Sequence, residues 1–327
     1  MEVQILHVYR FGIASHTEAM NSGKNWFDRA KTALKRDYWL LVFSLPAVAY
    51  MLIFSYWPMW GLQIAFRRFS PTKGIWGSPW TGLTNIVRFF DSPYFMRTFS
   101  NTLQISFLQI IVGFPAPIIL ALLLNQVTSR KYKRLIQTVT YAPHFISVVV
   151  MSGMIILFLS PSIGIFNNMI QSFGSEPVFF MTKPDLFPLI FVASGIWQNV
   201  GWGMIIYLAA ISSIDPTLYE AAVVDGATRL HKIIHIDSPS IMPTITIVLI
   251  LQLGRLMDMD WQKAYLLQNQ LNLERSELIQ TYVYKIGILQ GEYHYATAIG
   301  LFNSLINLAL ILSVNTIAKR MKQETLL

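Results

Sequence analysis

The residues whose types and spacing could do work begin at Glu220-Ala221-Ala222, followed by Asp225-Gly226, Ile236 and Pro239. Just upstream, Asp215-Pro216 reads as a helix start: the carboxylate caps free first-turn amides, and proline at the first helical position lacks only an N–H that needs no partner there. Leu218, Ala221 and Ala222 follow on this helix, and Gly226 supplies a break. Leu230, Ile233, Ile234 and Ile236 then form a second short amphipathic run, expected to end before Pro239. Two short helices joined at a glycine make a protruding elbow. Small Ala221 and Ala222 let another surface approach closely, and Glu220 gives that surface a charge. An ordinary helix with a capping box between Thr217 and Glu220 is the plainer alternative.

Other chemistries find little support. No G-x-x-x-x-G-K-[ST] run exists, and the single Gly-Lys pair, Gly23-Lys24, is followed by Asn25, so ATP hydrolysis must come from another polypeptide. His231 and His235 share a helix face at i and i+4. Lys232 stands where a zinc protease has its glutamate, and no third ligand is nearby, so neither a metal site nor a catalytic residue is assigned. Cysteine is absent, which removes disulfides and thiolate ligands. The chain is expected to be no enzyme and to bind no cofactor itself.

These residues need elements to hold them, and composition says which. With 54% hydrophobic and 13% charged residues over 327 positions, the chain has about half the charge usual for soluble domains. Its apolar residues cluster in blocks long enough to cross a bilayer core of about 30 Å. Six spans are predicted: Tyr38 to Ala65, Thr98 to Gln126, Leu135 to Leu159, Leu186 to Ile211, Ile241 to Met257 and Tyr295 to Ala318. The fold class is therefore an all-α membrane protein with one spanning domain over 38–318. The elbow lies in the loop 213–243, between spans four and five. Residues 1–37 form an N-terminal segment in which Trp26, Phe27, Ala30, Ala33 and Leu34 suit a helix lying against membrane lipid, or else a solvated lead-in; 319–327 form a tail. No cleavable signal peptide is apparent. Pro46, Pro115, Pro117 and Pro143 should kink their spans, which fits a bundle with an internal path.

The formal charge of +8 does not point to nucleic acid, because its distribution follows the membrane. Lys24, Arg29, Lys31, Lys35 and Arg36 precede the first span; Arg130, Lys131, Lys133 and Arg134 separate the second from the third; Lys319, Arg320 and Lys322 follow the sixth. By the positive-inside rule these segments, both termini and the elbow are cytoplasmic. Arg67, Arg68, Lys73, Arg88 and Arg97, in the first outer segment, run against that assignment.

Glu220-Ala221-Ala222, three residues, Gly226, nine residues, Ile236, two residues and Pro239 resemble the EAA signature of permease subunits in binding-protein-dependent ABC importers. Ser238 departs from the leucine common there, softening one apolar contact. The stretch Leu253 to Gly300, with Thr281-Tyr282-Val283-Tyr284 and Tyr295-Ala296-Thr297, is similar to carbohydrate permeases, including those for oligosaccharides and uronate-containing polysaccharides such as alginate. The resemblance runs from about residue 37 to the end. It implies a type I importer fold, with Glu220, Ala221, Ala222, Asp225, Gly226, Ile236 and Pro239 as a coupling helix docking on an ATPase. It also implies a second permease subunit, two ATPase subunits carrying ATP and Mg2+, an extracytoplasmic solute-binding protein, a carbohydrate substrate and a bacterial inner-membrane location. An ion-coupled secondary transporter is the alternative, but inverted repeats and a buried ion relay are not evident.

Polar residues in the later spans would be costly facing lipid. Trp197, Gln198 and Asn199, then Gln252, Arg255, Asp258, Asp260 and Trp261, then Asn303 and Asn307 are accordingly candidates for a substrate path. Amides and carboxylates can bond sugar hydroxyls, and the indole faces can pack on a sugar ring. Hydrogen bonding between helices, with Arg255 paired to Asp258 about one turn on and Trp261 at the membrane interface, explains the same residues.

Overall fold

A computed structural model describes residues 38–320 except Met259, so the expectations for 1–37 and for most of the tail lie outside the described residues. The chain divides into two compact units, Met1–Gly61 and Leu62–Leu327. In the first, the described residues belong to α1 (Tyr38–Phe66). This helix is α-helical to Met51 with Pro46 inside it, and widens into a π-turn at Leu52–Tyr56.

The second unit is helical throughout its described residues, apart from two isolated bridges, Arg67 to Trp80 and Ser70 to Gly74. Its long elements are α2 (Pro93–Asn125), the bent pair Arg130–Phe145 and Val148–Phe158 taken together as α3, α4 (Pro184–Ser212), α6 (Arg229–Leu253) and α9 (Tyr293–Arg320). Three short helices carry or brace the functional residues: α5 (Pro216–Val224), α7 (Trp261–Leu267) and α8 (Ile279–Tyr284). Counting α1, five helices are long and apolar enough to cross a membrane, or six with α3 as one broken span.

Two expectations need correction. The third span is not continuous: its halves meet at 105° around Ile146 and Ser147. Pro143 closes a tight 3-10 turn over Ala142–Phe145, and Ser147 caps the new helix by accepting from Val150 N. The carbonyl of Ile146, freed by the break, accepts from Gln198 Nε2 of α4 at 3.2 Å, the kind of rescue that a break at membrane depth requires. The fifth span, predicted from Ile241 to Met257, instead begins at Arg229 and ends at Leu253. The second elbow run therefore does not stop before Pro239 but continues into the span.

Prolines explain much of the helical geometry. The π-turns Leu52–Tyr56, Gln109–Gly113 and Ile233–Asp237 each end two residues before a proline: Pro58, Pro115 and Pro239. A proline removes one donor and crowds the carbonyl four residues back. A wide turn just ahead of it shifts the hydrogen-bond register and relieves that crowding without ending the helix.

Side-chain packing holds the bundle in three apolar clusters. One joins α2, α4 and α6 through Ala121, Leu124, Met204, Tyr207, Ile211 and Ile241. Another joins α3, α4 and α7 through Met151, Ile155, Phe187, Phe191, Ala264 and Leu267. The third gathers Phe89, Tyr282, Tyr295 and Ile299 at the end of α9. Between α3 and α4 the approach is backbone to backbone: a Cβ on Gly201 would lie 2.1 Å from the Thr140 carbonyl oxygen.

Within residues 67–97, Arg67, Arg88 and Arg97 have partners in the structure. Arg88 pairs with Glu292 at 2.7 Å, Arg97 with Glu277, and Lys285 shares that buried carboxylate at 3.0 Å. Arg67 lies over the Trp76 and Trp80 rings and donates to Ser78 O.

Candidate functional site

The elbow is built as its residues dictate. Asp215 caps α5 by accepting from Thr217 N at 2.9 Å, and that backbone bond holds its carboxyl below the usual carboxylate range. The cap is thus Asp215, and Thr217 takes no capping-box role with Glu220. Gly226 has φ of 70°, a left-handed conformation that other residues adopt at a cost. The turn closes through Gly226 N to Val223 O at 3.1 Å and Ala227 N to Ala222 O at 2.8 Å, a helix-ending pair of bonds of the kind glycine favours. Thr228 then caps α6 at His231 N. His231 and His235 stack at 5.8 Å, each held locally through Nδ1, by Thr228 Oγ1 and by the His231 carbonyl.

The elbow presents apolar side chains outward among its charges. Val224 is 88% exposed, and Leu218, Val223 and Leu230 are also exposed. Glu220, Ala221, Asp225, Gly226 and Pro239 stand on the surface with them, while Ala222 and Ile236 are half-buried.

A second locus lies inside the bundle. α2, α4, the end of α6 and the strap leading into α7 enclose a half-open chamber of about 240 Å³, lined on its polar side by Ser106, Gln109, Asn199, Gln252, Arg255, Asp258, Asp260 and Lys263. Five of the predicted path residues thus come together: Asn199, Gln252, Arg255, Asp258 and Asp260. Asp258 Oδ1 accepts from Gln280 Nε2 at 2.9 Å and from Asn303 Nδ2 at 3.0 Å. No ion pair joins it to Arg255 among the described residues, so the predicted pairing across one turn is replaced by amide bonds from α8 and α9. Asp260 caps α7 by accepting from Lys263 N at 3.3 Å.

The remaining candidates do other work. Trp197 is 43% exposed and does not line the chamber. Trp261 packs on the Tyr284 ring at 4.9 Å. Gln198 bonds the broken α3, and Asn307 accepts from Met257 N at 3.0 Å, fixing the strap to α9. Asn199 Oδ1 accepts from His144 Nδ1 at 3.0 Å, and its Nδ2 donates to the Gly195 carbonyl.

Sequence reasoning missed Lys263. Its ammonium is buried, donates to the Phe191 carbonyl at 3.0 Å and sits 4.2 Å from that residue's ring centre. Burial pulls its pKa down to about 8, and the nearby Asp260 charge only partly opposes the shift. Gly195 makes room for it, since a Cβ there would lie 3.1 Å from Nζ. Lys263 lies two residues past Trp261, where the polar run just beyond span five ends, and nothing in its spacing marks it as buried. Ser106, whose hydroxyl donates to the Leu256 carbonyl at 2.7 Å, and Gln109 carry no spacing signal.

One helical bundle thus carries an elbow with exposed apolar side chains and a half-open polar chamber. Residues 113–323 match the family of binding-protein-dependent transport system inner membrane components. The chain belongs to this family. The permease is 43% identical to Protein LplB of Bacillus subtilis over 90% of this chain and 92% of the relative. It is 41% identical to the polygalacturonan/rhamnogalacturonan transport system permease protein YteP of the same organism, over 89% and 91%. Among solved structures it is similar to a chain of a bacterial ABC transporter involved in the import of the acidic polysaccharide alginate: TM-score 0.84, 41% identity, covering 90% of the permease and all of that chain. A bacterial alginate transporter in complex with an alginate pentasaccharide-bound periplasmic protein gives TM-score 0.83 at 40% identity, covering 90% and 99%. It is a membrane permease component of an ATP-driven importer, and the ion-coupled alternative is set aside.

Proposed function

We propose that the permease forms one half of the translocation path for an acidic oligosaccharide or polysaccharide delivered by a solute-binding protein. The observation that carries the substrate class is identity above 40% over about nine-tenths of the chain to permeases named for polygalacturonan and alginate systems. The chamber agrees in chemistry and in size. Its amides, carboxylates and two cations suit hydroxyls and carboxylates, and 240 Å³ lies below the roughly 300–1,000 Å³ of sites that bury a ligand of drug size. One chain therefore offers one wall, and a second permease subunit completes the path.

In this reading the elbow is the coupling helix. Glu220, Ala221, Ala222, Asp225 and Gly226 dock on one of two ATPase subunits, where ATP and Mg2+ are bound and hydrolysed, and closure of the ATPases is passed through α5 and α6 to the bundle. The exposed Leu218, Val223, Val224 and Leu230 are the apolar surface that docking would cover. The termini and elbow lie in the cytoplasm, and the end bearing Arg88, Arg97 and Glu277 meets the binding protein.

The test is reconstitution of the permease with its second subunit, an ATPase and a binding protein in liposomes, supplied with labelled oligogalacturonate or oligoalginate. ATP-dependent accumulation of the acidic sugar is expected. Uptake of neutral maltodextrin alone would overturn the substrate class, and uptake without ATP would overturn the coupling.

A further inference from the structure

Asp237 is fully buried at the end of the π-turn Ile233–Asp237, and no Lys or Arg forms an ion pair with it among the described residues. A buried carboxylate is costly unless hydrogen bonds replace its water. Three neutral donors do so here. Tyr219 Oη of α5 and Asn125 Nδ2 of α2 both donate to Oδ1, the latter at 3.5 Å, and Gln126 Nε2 donates to Oδ2 at 2.9 Å. The donors come from the elbow and from the last turn of α2, while the carboxylate belongs to α6. Three elements that the chain connects only through loops therefore converge on one side chain.

Nothing in the elbow's own turn requires this. Gly226 and Thr228 already close and restart the helix, so the Asp237 bonds add a lateral link between α5 and the bundle. Without such a link, a force applied to the exposed face of α5 would be absorbed by the glycine hinge. With it, the force reaches the ends of α2 and α6 together. Both of those helices line the polar chamber through Gln109 and Gln252.

We propose that Asp237 is a positioning residue of the transport cycle: through Tyr219, Asn125 and Gln126 it latches the elbow to α2 and α6, so that ATPase closure moves both helices together. This rests on the coupling role proposed for the elbow. The carboxylate touches neither nucleotide nor sugar, and it acts only through the rigidity it gives.

The experiment uses the complete transporter in liposomes with its binding protein. Tyr219→Phe removes one hydroxyl and nothing else; Asp237→Asn keeps the shape and removes the charge; Glu220→Lys and Gly226→Pro probe the elbow itself. Two quantities are read: co-purification of the ATPase, and ATP hydrolysed per sugar imported. A bond to a charged group is worth enough to change that ratio about tenfold when removed. The expected result is that both latch variants retain the ATPase yet raise the ratio about tenfold. A ratio within twofold of the parent in Tyr219→Phe overturns the latch even if Asp237→Asn fails to assemble. If that happens while Glu220→Lys and Gly226→Pro abolish uptake, the coupling role stands and only the latch falls. Full uptake in all four variants instead overturns the coupling role.

Discussion

The chamber and the elbow solve opposite problems with the same chain. In the chamber, Lys263 is buried while Arg255, Asp258 and Asp260 stay open to the cavity, and several of these groups are answered from within: Asp258 by two amides, Asp260 by a helix amide, Lys263 by a carbonyl and a ring. At the elbow the turn is closed by backbone bonds, yet Leu218, Val223, Val224 and Leu230 stand uncovered beside the charged Glu220 and Asp225. A buried and bonded group such as Lys263 is settled within the chain itself, whereas uncovered apolar side chains on a well-formed turn are complete only against another surface. On the reading proposed above, the difference separates the part of the permease that would handle solute from the part that would take instruction from a partner.

The largest expected effect tests whether the interior depends on close packing. Gly201→Val places carbon where the Thr140 carbonyl already stands, and overpacking of this kind costs about 3 kcal/mol or more. A fall of several degrees in the melting temperature of the detergent-solubilised permease is expected, and an unchanged melt would show that α3 and α4 can move apart freely. The elbow predicts the converse. Gly226→Pro forces the hinge from φ of 70° to about −65°, and Glu220→Lys reverses the charge at its surface. Uptake should drop about tenfold or more while the permease alone melts as before. Full uptake and full substrate-stimulated ATP hydrolysis in both would erase the contrast.

A smaller effect distinguishes residues inside the chamber. Asp258→Asn and Asp260→Asn should raise the concentration needed for half-maximal uptake by about 3–10-fold, the worth of one weakened polar contact. Trp197→Ala, on the outer face of α4, should leave it unchanged, so equal losses in all three would place the path elsewhere. The smallest concerns pH. The Lys263 pKa is depressed from 10.5 to about 8 by burial, so between those values the unfolded chain carries a proton that the folded one has lost. Stability should therefore rise with pH across that window. Lys263→Met should flatten the rise, and an identical pH profile in the variant would show that this amine does not titrate there.

The elbow's hinge and cap are readable in the sequence because each rests on one residue type in its preferred place: Asp215 before Pro216, and Gly226 where the backbone turns left-handed. The polar cluster from Gln252 to Asp260 is readable because such groups at the end of a span need polar partners or water. The break in α3 is announced only as a kink at Pro143, and its full bend is not readable, since Ile146 and Ser147 carry no breaker and Gln198 of another helix answers the freed carbonyl. Nor is the continuity of the elbow into α6, because Pro239 reads as a stop unless a wide turn precedes it. Trp197 and Asn199 look alike as polar candidates, although residues two apart on a helix point about 200° away from each other, and only one of them faces the chamber. The stray cations Arg88 and Arg97 look anomalous because their partners, Glu292 and Glu277, lie 204 and 180 positions further on.

A π-turn differs from the surrounding helix by a single inserted residue. Each residue advances a helix by about 100°, so deleting one position from Ile233–Asp237 would leave every bond of α6 below it intact while swinging Thr228, Gly226 and all of α5 about a quarter turn around the helix axis. The bearing of the elbow, and hence the side from which a partner can engage it, is in that sense encoded by chain length at one point, adjustable in steps of one codon without any change to the face that meets the partner.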